Sequence, residues 1–202
     1  MTTRLQVTLR DATCEDAAAL IALWDECGRD AGDDGLGAVV PQSAWRTPSV
    51  AEAAEALALN LASPGKRIVL ALADGEVVGA TVCDLSTLTP ITTTRVLRVT
   101  DIQVSPRFRR RSVAATLLAA VAAHGEEHDC QVVVAAIPVH AREPHRYLTK
   151  LGFQQIAVVR AIAATRLQSR LSGKSTHSRD TGKLIAVRRT LRRRASGTAP
   201  TA

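Results

Sequence analysis

Apolar and polar residues alternate over residues 4–12, with the period of two that is typical of a half-buried β-strand. The period changes to that of an amphipathic helix over about residues 14–27. Thr13, followed three residues later by Asp16, forms a capping-box pattern that predicts where this helix begins. A second helix is predicted over residues 49–62. The Gly-, Asp- and Pro-rich stretch between the two helices is predicted to be a loop.

The middle of the chain predicts three strands followed by a long helix. Residues 67–85 contain two apolar runs joined at Asp74-Gly75, a dipeptide that favours a tight hairpin turn. Residues 95–104 predict the third of these strands. After a cluster of arginines, an Ala-rich stretch over residues 112–128 predicts the helix.

Three further elements are predicted before the composition of the chain changes. Residues 131–139 are a near-continuous β-branched run, which predicts a buried strand. A short helix is then predicted over residues 142–152, closed by Gly152. Residues 153–163 predict a sixth strand, and no internal repeat is present.

The composition is that of a soluble globular protein, with 46% hydrophobic residues and a mean hydropathy of +0.05. The sequence contains no apolar run of roughly 18 residues, which excludes a membrane-spanning helix. The first residues lack the apolar centre of a secretion signal, so we expect a cytoplasmic protein. The four cysteines are scattered without a Cys-x-x-Cys pair, so we expect buried free thiols and no metal site.

The positive charge is concentrated at the end of the chain. Residues 166–202 contain ten basic residues and one acid, whereas the rest is nearly neutral. We therefore expect a domain over residues 1–167 and a basic extension over residues 168–202, with one helix at 184–194. The apolar stripe of that helix could dock on the domain or on a second subunit of a homodimer. The basic residues could contact nucleic acid, but a solvated face is commoner.

The segment over residues 104–118 has the chemistry of an anion site. A strand ends at Val104, Pro106 and four arginines follow, and small residues then open a helix. Free N–H groups at a helix start, together with the helix dipole, bind anions such as a pyrophosphate. A solvated basic turn ahead of an ordinary helix explains the same residues equally well.

This segment resembles motif A of the Gcn5-related N-acetyltransferases, which reads V-x-P-x-x-[RQ]-x-x-G-x-[GA]-x-x-L-L. The matching positions are Val104, Pro106, Arg109, Ala114, Leu117 and Leu118. Residues 142–153 resemble the second signature of the family, with matches at Tyr147, Lys150, Leu151, Gly152 and Phe153. The separation of the two signatures and the order of elements over about residues 4–165 also fit the family.

The resemblance implies an α/β (α+β) fold with a mixed, mostly antiparallel sheet of six to seven strands and about four flanking helices. It implies an acetyltransferase that moves an acetyl group from acetyl-CoA to an amine in a ternary complex, without a metal. The coenzyme-binding residues would then be Ile102, Gln103, Val104, Arg109, Arg110, Arg111, Ser112, Val113 and Ala114. A backbone N–H around Ile102 to Val104 would stabilise the oxyanion.

The chain departs from the family pattern at three places. Ser112 replaces the first glycine of motif A, and Ala141 replaces a frequent asparagine. Leu148 occupies the position of the tyrosine that often protonates the leaving thiolate, while Tyr147 lies at the preceding position, where a packing residue is usual. These departures favour a second hypothesis, an acyl-CoA-binding regulatory or interaction module with weak catalysis.

Asp101 and Tyr147 are the candidate catalytic residues. By resemblance Asp101 could act as a base through a water, although a solvent-facing strand end explains it equally well. Trp45 could line the acceptor site, whereas Trp24 is predicted to be core. The candidate histidines are weaker: His140 and His145 are more typical of exposed helix caps, and residues 124–128 read HGEEH, which does not meet the H-E-x-x-H zinc motif.

Overall fold

The computed structural model describes residues 6–31, 46–138 and 141–172. The chain divides into two compact units, which are treated separately below. The first comprises Met1–Asp34 and Trp45–Gln155, and the second comprises Gly35–Ala44 and Ile156–Ala202. All elements of the sheet and all the described site residues belong to the first unit.

The first unit contains a mixed β-sheet, and its helices lie between the strands or after the last one in sequence order. The elements are β1 (Val7–Asp11), α1 (Ala17–Ala31), α2 (Val50–Leu61), β2 (Lys66–Ala73), β3 (Glu76–Thr87), β4 (Arg95–Val104), α3 (Val113–Glu127), β5 (Val132–Ala135) and α4 (Arg142–Lys150). The described sheet has five strands in the order β1-β2-β3-β4-β5. β1 to β4 are antiparallel neighbours and β5 is parallel to β4, so the predicted fold class is confirmed.

Local signals in the sequence place several boundaries correctly. The carboxylate of Asp16 accepts the backbone N–H of Thr13 at 2.8 Å, which forms the predicted capping interaction ahead of α1. Ser49 caps α2 by accepting the N–H of Glu52. The β2–β3 turn has Asp74 and Gly75 at φ of 51° and 82°, the left-handed values that a two-residue hairpin turn requires.

The core has a layer on each face of the sheet. Alternate side chains of β2 point to opposite faces, so its near-continuous apolar sequence serves both layers. Ile68 and Leu70 pack in the layer with α1 and α2. Val69 and Ala71 pack in the layer with Val113 and Leu117 of α3.

β4 has different partners along its two edges. It pairs with β3 along its full length, with an extra residue at Thr100 where the register shifts. β5 pairs only with residues 96–99 of β4. The last five residues of β4 therefore extend past the end of β5, so one edge of this stretch is not used by the described sheet.

The predicted sixth strand is wrong. Residues 153–163 form neither strand nor helix, and Ile156, Val158 and Val159 are exposed. Because these side chains are exposed, the stretch buries no apolar face of the kind that stabilises a strand in a sheet. In the second unit, residues 164–172 form a helix.

Two smaller expectations also need correction. β5 is shorter than predicted and is half-buried rather than buried, with Val132 39% exposed. Cys27 and Cys83 are buried free thiols as expected, but Cys14 is exposed.

Trp45, His140 and the predicted helix at 184–194 lie outside the described residues. No described helix has the length and apolarity that crossing a membrane would require.

Ser105 and Thr81 each have a buried hydroxyl, but among the described residues only that of Thr81 is hydrogen-bonded. Removing each hydroxyl therefore tests how hydrogen bonding affects the free energy of unfolding. The Ser105 hydroxyl has no hydrogen-bond partner in the described part of the chain, whereas Thr81 Oγ1 donates to the Asp101 carbonyl oxygen at 3.0 Å. We expect Ser105→Ala to raise the free energy of unfolding by about 1 kcal/mol, because an unsatisfied buried hydroxyl is removed. Thr81→Val should lower it by about 1 kcal/mol. Urea denaturation of both variants measures the two signs, and a loss of stability in Ser105→Ala would contradict this account.

Candidate functional site

The turn between β4 and α3 presents the start of α3 to solvent. Residues 106–108 form a single 3₁₀ turn, and α3 then begins at Val113 with Ser112 as its N-cap. The side chain of Ser112 makes no capping hydrogen bond, so it does not occupy the N–H groups of the first turn. The first N–H groups of an α-helix have no partner within the helix. This turn therefore has the backbone arrangement that the sequence predicted for an anion site.

Two non-glycine residues of this turn have left-handed backbone conformations. Arg110 has φ of 61° and Ser112 has φ of 66°. Side chains with a Cβ atom adopt this region at a cost of roughly 1–2 kcal/mol. The conformation of Ser112 gives a physical reason for the glycine that the resembling motif has at this position.

Gly79 of β3 allows the start of α3 to lie close to the sheet. A Cβ atom at Gly79 would be 2.9 Å from Cγ1 of Val113 and 3.1 Å from the carbonyl oxygen of Gln103. Val113 and Leu117 are buried against this surface. The glycine therefore fixes the separation between the first turn of α3 and the end of β4.

The arginines of the turn have different surroundings. Arg107 forms ion pairs with Glu26 of α1 and Glu76 of β3, at 3.0 and 2.5 Å. Arg110 pairs with Glu143 of α4 at 3.0 Å. Because both partners of the Arg110 pair are exposed, this pair contributes little to stability.

Arg109 and Arg111 are also exposed at the surface of the turn. The guanidinium of Arg111 lies 5.6 Å from the centre of the Phe108 ring. Burial raises the pKa of the Cys27 thiol to about 11, and the positive charge of Arg109 opposes that rise. Cys27 is therefore protonated at neutral pH, and its thiol donates to the carbonyl oxygen of Val104 at 3.5 Å.

The open edge of β4 carries a backbone donor at Val104. The N–H of Ser105 donates to the carbonyl oxygen of Val78 in β3 at 3.0 Å. Because successive N–H groups of a strand point to opposite edges, the N–H of Val104 points to the edge that β5 does not reach. This donor lies at the end of the strand that leads directly into the turn before α3.

Asp101 is a partly buried carboxylate and not a solvent-facing strand end. Burial raises its pKa above the ordinary value. Hydrogen bonds from Gln103, Trp24 and the N–H of Ile102 act in the opposite direction. The Gln103 amide donates to the carboxylate at 2.9 Å.

The contacts of Trp24 and Gln103 with Asp101 are site features that the sequence did not reveal. Trp24 packs against the core, as predicted, but it also takes part in a hydrogen bond with Asp101. Gln103 is one of the residues expected to bind the coenzyme, and its side chain also contacts Asp101. In β4, the adjacent polar residues Thr100 and Asp101 interrupt the alternation of apolar and polar positions. This interruption is the signal in the sequence that could have indicated polar contacts at this place.

The second signature lies on α4, where Tyr147 and Leu148 are adjacent. Leu148 is buried, with 8% exposure, whereas Tyr147, which was expected at the packing position, is half-buried. α4 therefore turns the leucine toward the interior, and the role of the Tyr147 hydroxyl stays a prediction. Ala141 stands before α4 without a capping side chain, and His145 Nε2 lies 3.0 Å from the carbonyl oxygen of Pro138.

We expect Ser112→Gly to stabilise the protein by about 1 kcal/mol, because glycine adopts the left-handed conformation without the Cβ penalty. Ser112→Val should be destabilising, since a β-branched residue is especially unfavourable at positive φ. Thermal denaturation of both variants tests the prediction. An equal effect of the two substitutions would show that the backbone conformation of Ser112 does not limit stability.

The fold is similar to that of solved structures, two of which are acetyltransferases by name. Aminoglycoside N-acetyltransferase AAC(6')-Iy, solved in complex with CoA, has 17% identity and a TM-score of 0.61, over 81% of this chain and 97% of that chain. Ribosomal-protein-alanine N-acetyltransferase from Brucella melitensis biovar Abortus 2308 has 17% identity and a TM-score of 0.59, over 78% and 99% of the two chains. A transcriptional regulator from Bacillus halodurans C-125 has 14% identity and a TM-score of 0.63, over 78% and 99%.

At sequence identities this low, the similarity to solved structures establishes only the fold. The family is established by a match of the sequence to a family profile. None of the curated proteins matches the chain by sequence. The sequence profile of the Acetyltransferase (GNAT) family matches residues 38–153, which is more than half of the chain and includes both signatures. This chain therefore belongs to the GNAT acetyltransferase family.

Proposed function

We propose that the protein transfers an acetyl group from acetyl-CoA to an amine by direct attack in a ternary complex. The observation that carries this proposal is the uncapped first turn of α3, which follows a cluster of arginines and the open edge of β4. The family assignment makes an acetyltransferase the expected activity. Acetyl-CoA is also consistent with the CoA-bound structure of AAC(6')-Iy, whose fold is similar.

The pyrophosphate of the coenzyme would bind at the start of α3. The N–H groups of Val113 and Ala114 belong to the first helical turn and have no partner within the helix. The helix dipole favours negative charge at the same place. Arg109, Arg110 and Arg111 are exposed around it and would add charge-assisted hydrogen bonds.

The acetyl group would lie along the open edge of β4. The pantetheine chain would run from the pyrophosphate at α3 toward Val104, whose N–H would donate to the thioester carbonyl oxygen. That donor is fixed by the pairing of β4 with β3 before the reaction begins. A preorganised donor of this kind stabilises the negative charge that develops on the oxygen.

The amine would then attack the carbonyl carbon directly. A C–N bond forms, the C–S bond breaks, and the electron pair of that bond leaves with the sulfur of the coenzyme. The attacking nitrogen loses a proton to a base, and the thiolate gains one from an acid or from water. Because both reactants are held in one complex, much of the entropic cost of their encounter is removed before the reaction.

Asp101 would act as the base, through a bridging water. Its carboxylate is held by hydrogen bonds to Gln103 and Trp24, so its position is defined. Because burial raises its pKa, this carboxylate is a stronger base than an exposed aspartate. Trp45, the candidate for the acceptor site, lies outside the described residues, and we propose no specific amine.

A module that binds acyl-CoA with weak catalysis is the second candidate. It is favoured by Leu148, which occupies the usual position of the acid and is buried, so it leaves no donor there. One assay distinguishes the enzyme from the binding module. Release of free CoA in the presence of a panel of small amines, aminoglycosides, lysine peptides and N-terminal peptides supports the enzyme, and binding of acetyl-CoA without release supports the module.

We expect Arg109→Ala to weaken acetyl-CoA binding by about 10- to 100-fold, since a hydrogen bond to a charged group contributes roughly 1.5–3 kcal/mol. Ala114→Glu should abolish binding, because it places a negative charge and a larger side chain at the first turn of α3. Isothermal calorimetry measures both effects. Arg98→Ala is the matched control, because it removes the same charge from β4 about 20 Å from Val104. If Ala114→Glu binds acetyl-CoA normally while remaining folded, the coenzyme does not bind at this turn.

We expect Asp101→Asn to lower kcat while coenzyme affinity remains nearly unchanged. A carboxylate base works only when deprotonated, so the wild-type rate should fall as pH is lowered through the raised pKa of Asp101, and the variant should lose this dependence. Tyr147→Phe should have a small effect, because Tyr147 lies one position before the usual place of the acid in the second signature. A loss of kcat of about 100-fold or more in Tyr147→Phe would assign the acid to this hydroxyl.

A further inference from the structure

The opposite end of α3 from the coenzyme site carries three side chains with metal-ligand chemistry. They are His124, Glu127 and His128, and one ligand atom from each lies within 4.8 Å of the others. Nδ1 of His124 is 3.7 Å from Oε2 of Glu127, and the two imidazole rings have centroids 4.3 Å apart. Residues three and four apart lie on one face of a helix, so the helix itself holds this arrangement together.

The ring of His128 is oriented as metal-bound histidines usually are. Its Nδ1 lies 3.0 Å from the carbonyl oxygen of His124, within reach of an N–H···O hydrogen bond. This contact fixes the proton on Nδ1 and leaves the lone pair of Nε2 available. A backbone carbonyl that orients an imidazole in this way is a common partner in metal sites.

The electrostatic surroundings allow a cation. The side chain of His124 is only 12% exposed, so its imidazole is largely shielded from solvent. A neutral imidazole is the form that binds metals. The carbonyl end of the α3 dipole favours positive charge, and Glu127 adds a negative charge. The positive charge of Arg67 opposes the binding of a cation. Its guanidinium is paired with Asp11 at 2.7 Å, which partly neutralises that charge.

We propose that His124, Glu127 and His128 form a binding site for a divalent transition metal of the zinc type. Two imidazoles and one carboxylate are a donor set that suits zinc and its neighbours in the series, whereas magnesium and calcium prefer oxygen ligands. The remaining coordination position would be filled by water. Glu127 is exposed and can adjust its rotamer to complete the geometry.

The metal would have a structural role. α3 has 15 residues, so its two ends are about 22 Å apart, too far for a metal at this end to touch the reacting atoms. A metal bound to positions 124, 127 and 128 would close the last turn of the helix. It would thus stabilise the element whose first turn we assign to the coenzyme.

The test uses the full chain without a histidine tag, first stripped of metal with a chelator and then titrated with zinc by calorimetry. We expect one zinc ion per chain, and a rise in melting temperature of roughly 5–10 °C at 100-fold excess over the Kd. His124→Gln and His128→Gln should each weaken zinc binding by at least tenfold. His145→Gln is the matched control, since it removes an imidazole that also contacts a backbone carbonyl, and its zinc affinity should be unchanged.

Cobalt substitution distinguishes this site from a cysteine site. Cys130 is close to the cluster, since its Sγ lies 4.0 Å from the carbonyl oxygen of His128. Cobalt bound to nitrogen and oxygen shows weak visible bands, whereas a bond to Cys130 would add an intense sulfur charge-transfer band. If either histidine variant fails to fold, Glu127→Gln at an exposed position serves instead, with an expected loss of affinity. Undiminished zinc binding in the folded variants, an absence of saturable binding to wild type, or a sulfur charge-transfer band would overturn the proposal.

Discussion

The pairing of β4 along one edge only, past the end of the short strand β5, is the constraint on which the proposed site depends. β4 is held to β3 along its full length, so its end cannot move when the other edge loses its partner. The last residues of β4 therefore keep strand geometry while one set of backbone groups remains available. An isolated strand could not do this, because its backbone would be free to change conformation. Pairing along one edge thus makes a rigid backbone donor on the other.

The turn that follows brings this edge next to the start of α3, where we propose that the coenzyme binds. It must reverse direction within a few residues and still deliver an uncapped helix, and it does so through left-handed conformations at Arg110 and Ser112. Gly79 allows the helix to pack close to the sheet at that point. The strain at Ser112 is thus a local cost of presenting the backbone, offset by the burial of Val113 and Leu117.

The two ends of α3 differ in chemistry because a helix is a polar element. Its start presents N–H groups and attracts anions, which suits a pyrophosphate. Its end attracts cations and carries two histidines and a glutamate on one face. One helix can therefore serve two ligands of opposite charge, with its buried middle fixed to the sheet by apolar contacts.

The sequence by itself determined the elements whose signals are local. Capping residues placed α1 and α2, Asp74-Gly75 placed the hairpin, and motif A placed the turn before α3. These signals depend on neighbours within a few residues, so the order of residues contains them. Only the tertiary structure decided that Asp101 is partly buried beside Trp24 and that Leu148, rather than Tyr147, faces the interior. It also decided that residues 153–163 form no strand. Burial and strand pairing depend on residues distant in the chain, and no local spacing encodes which of two adjacent side chains will meet them.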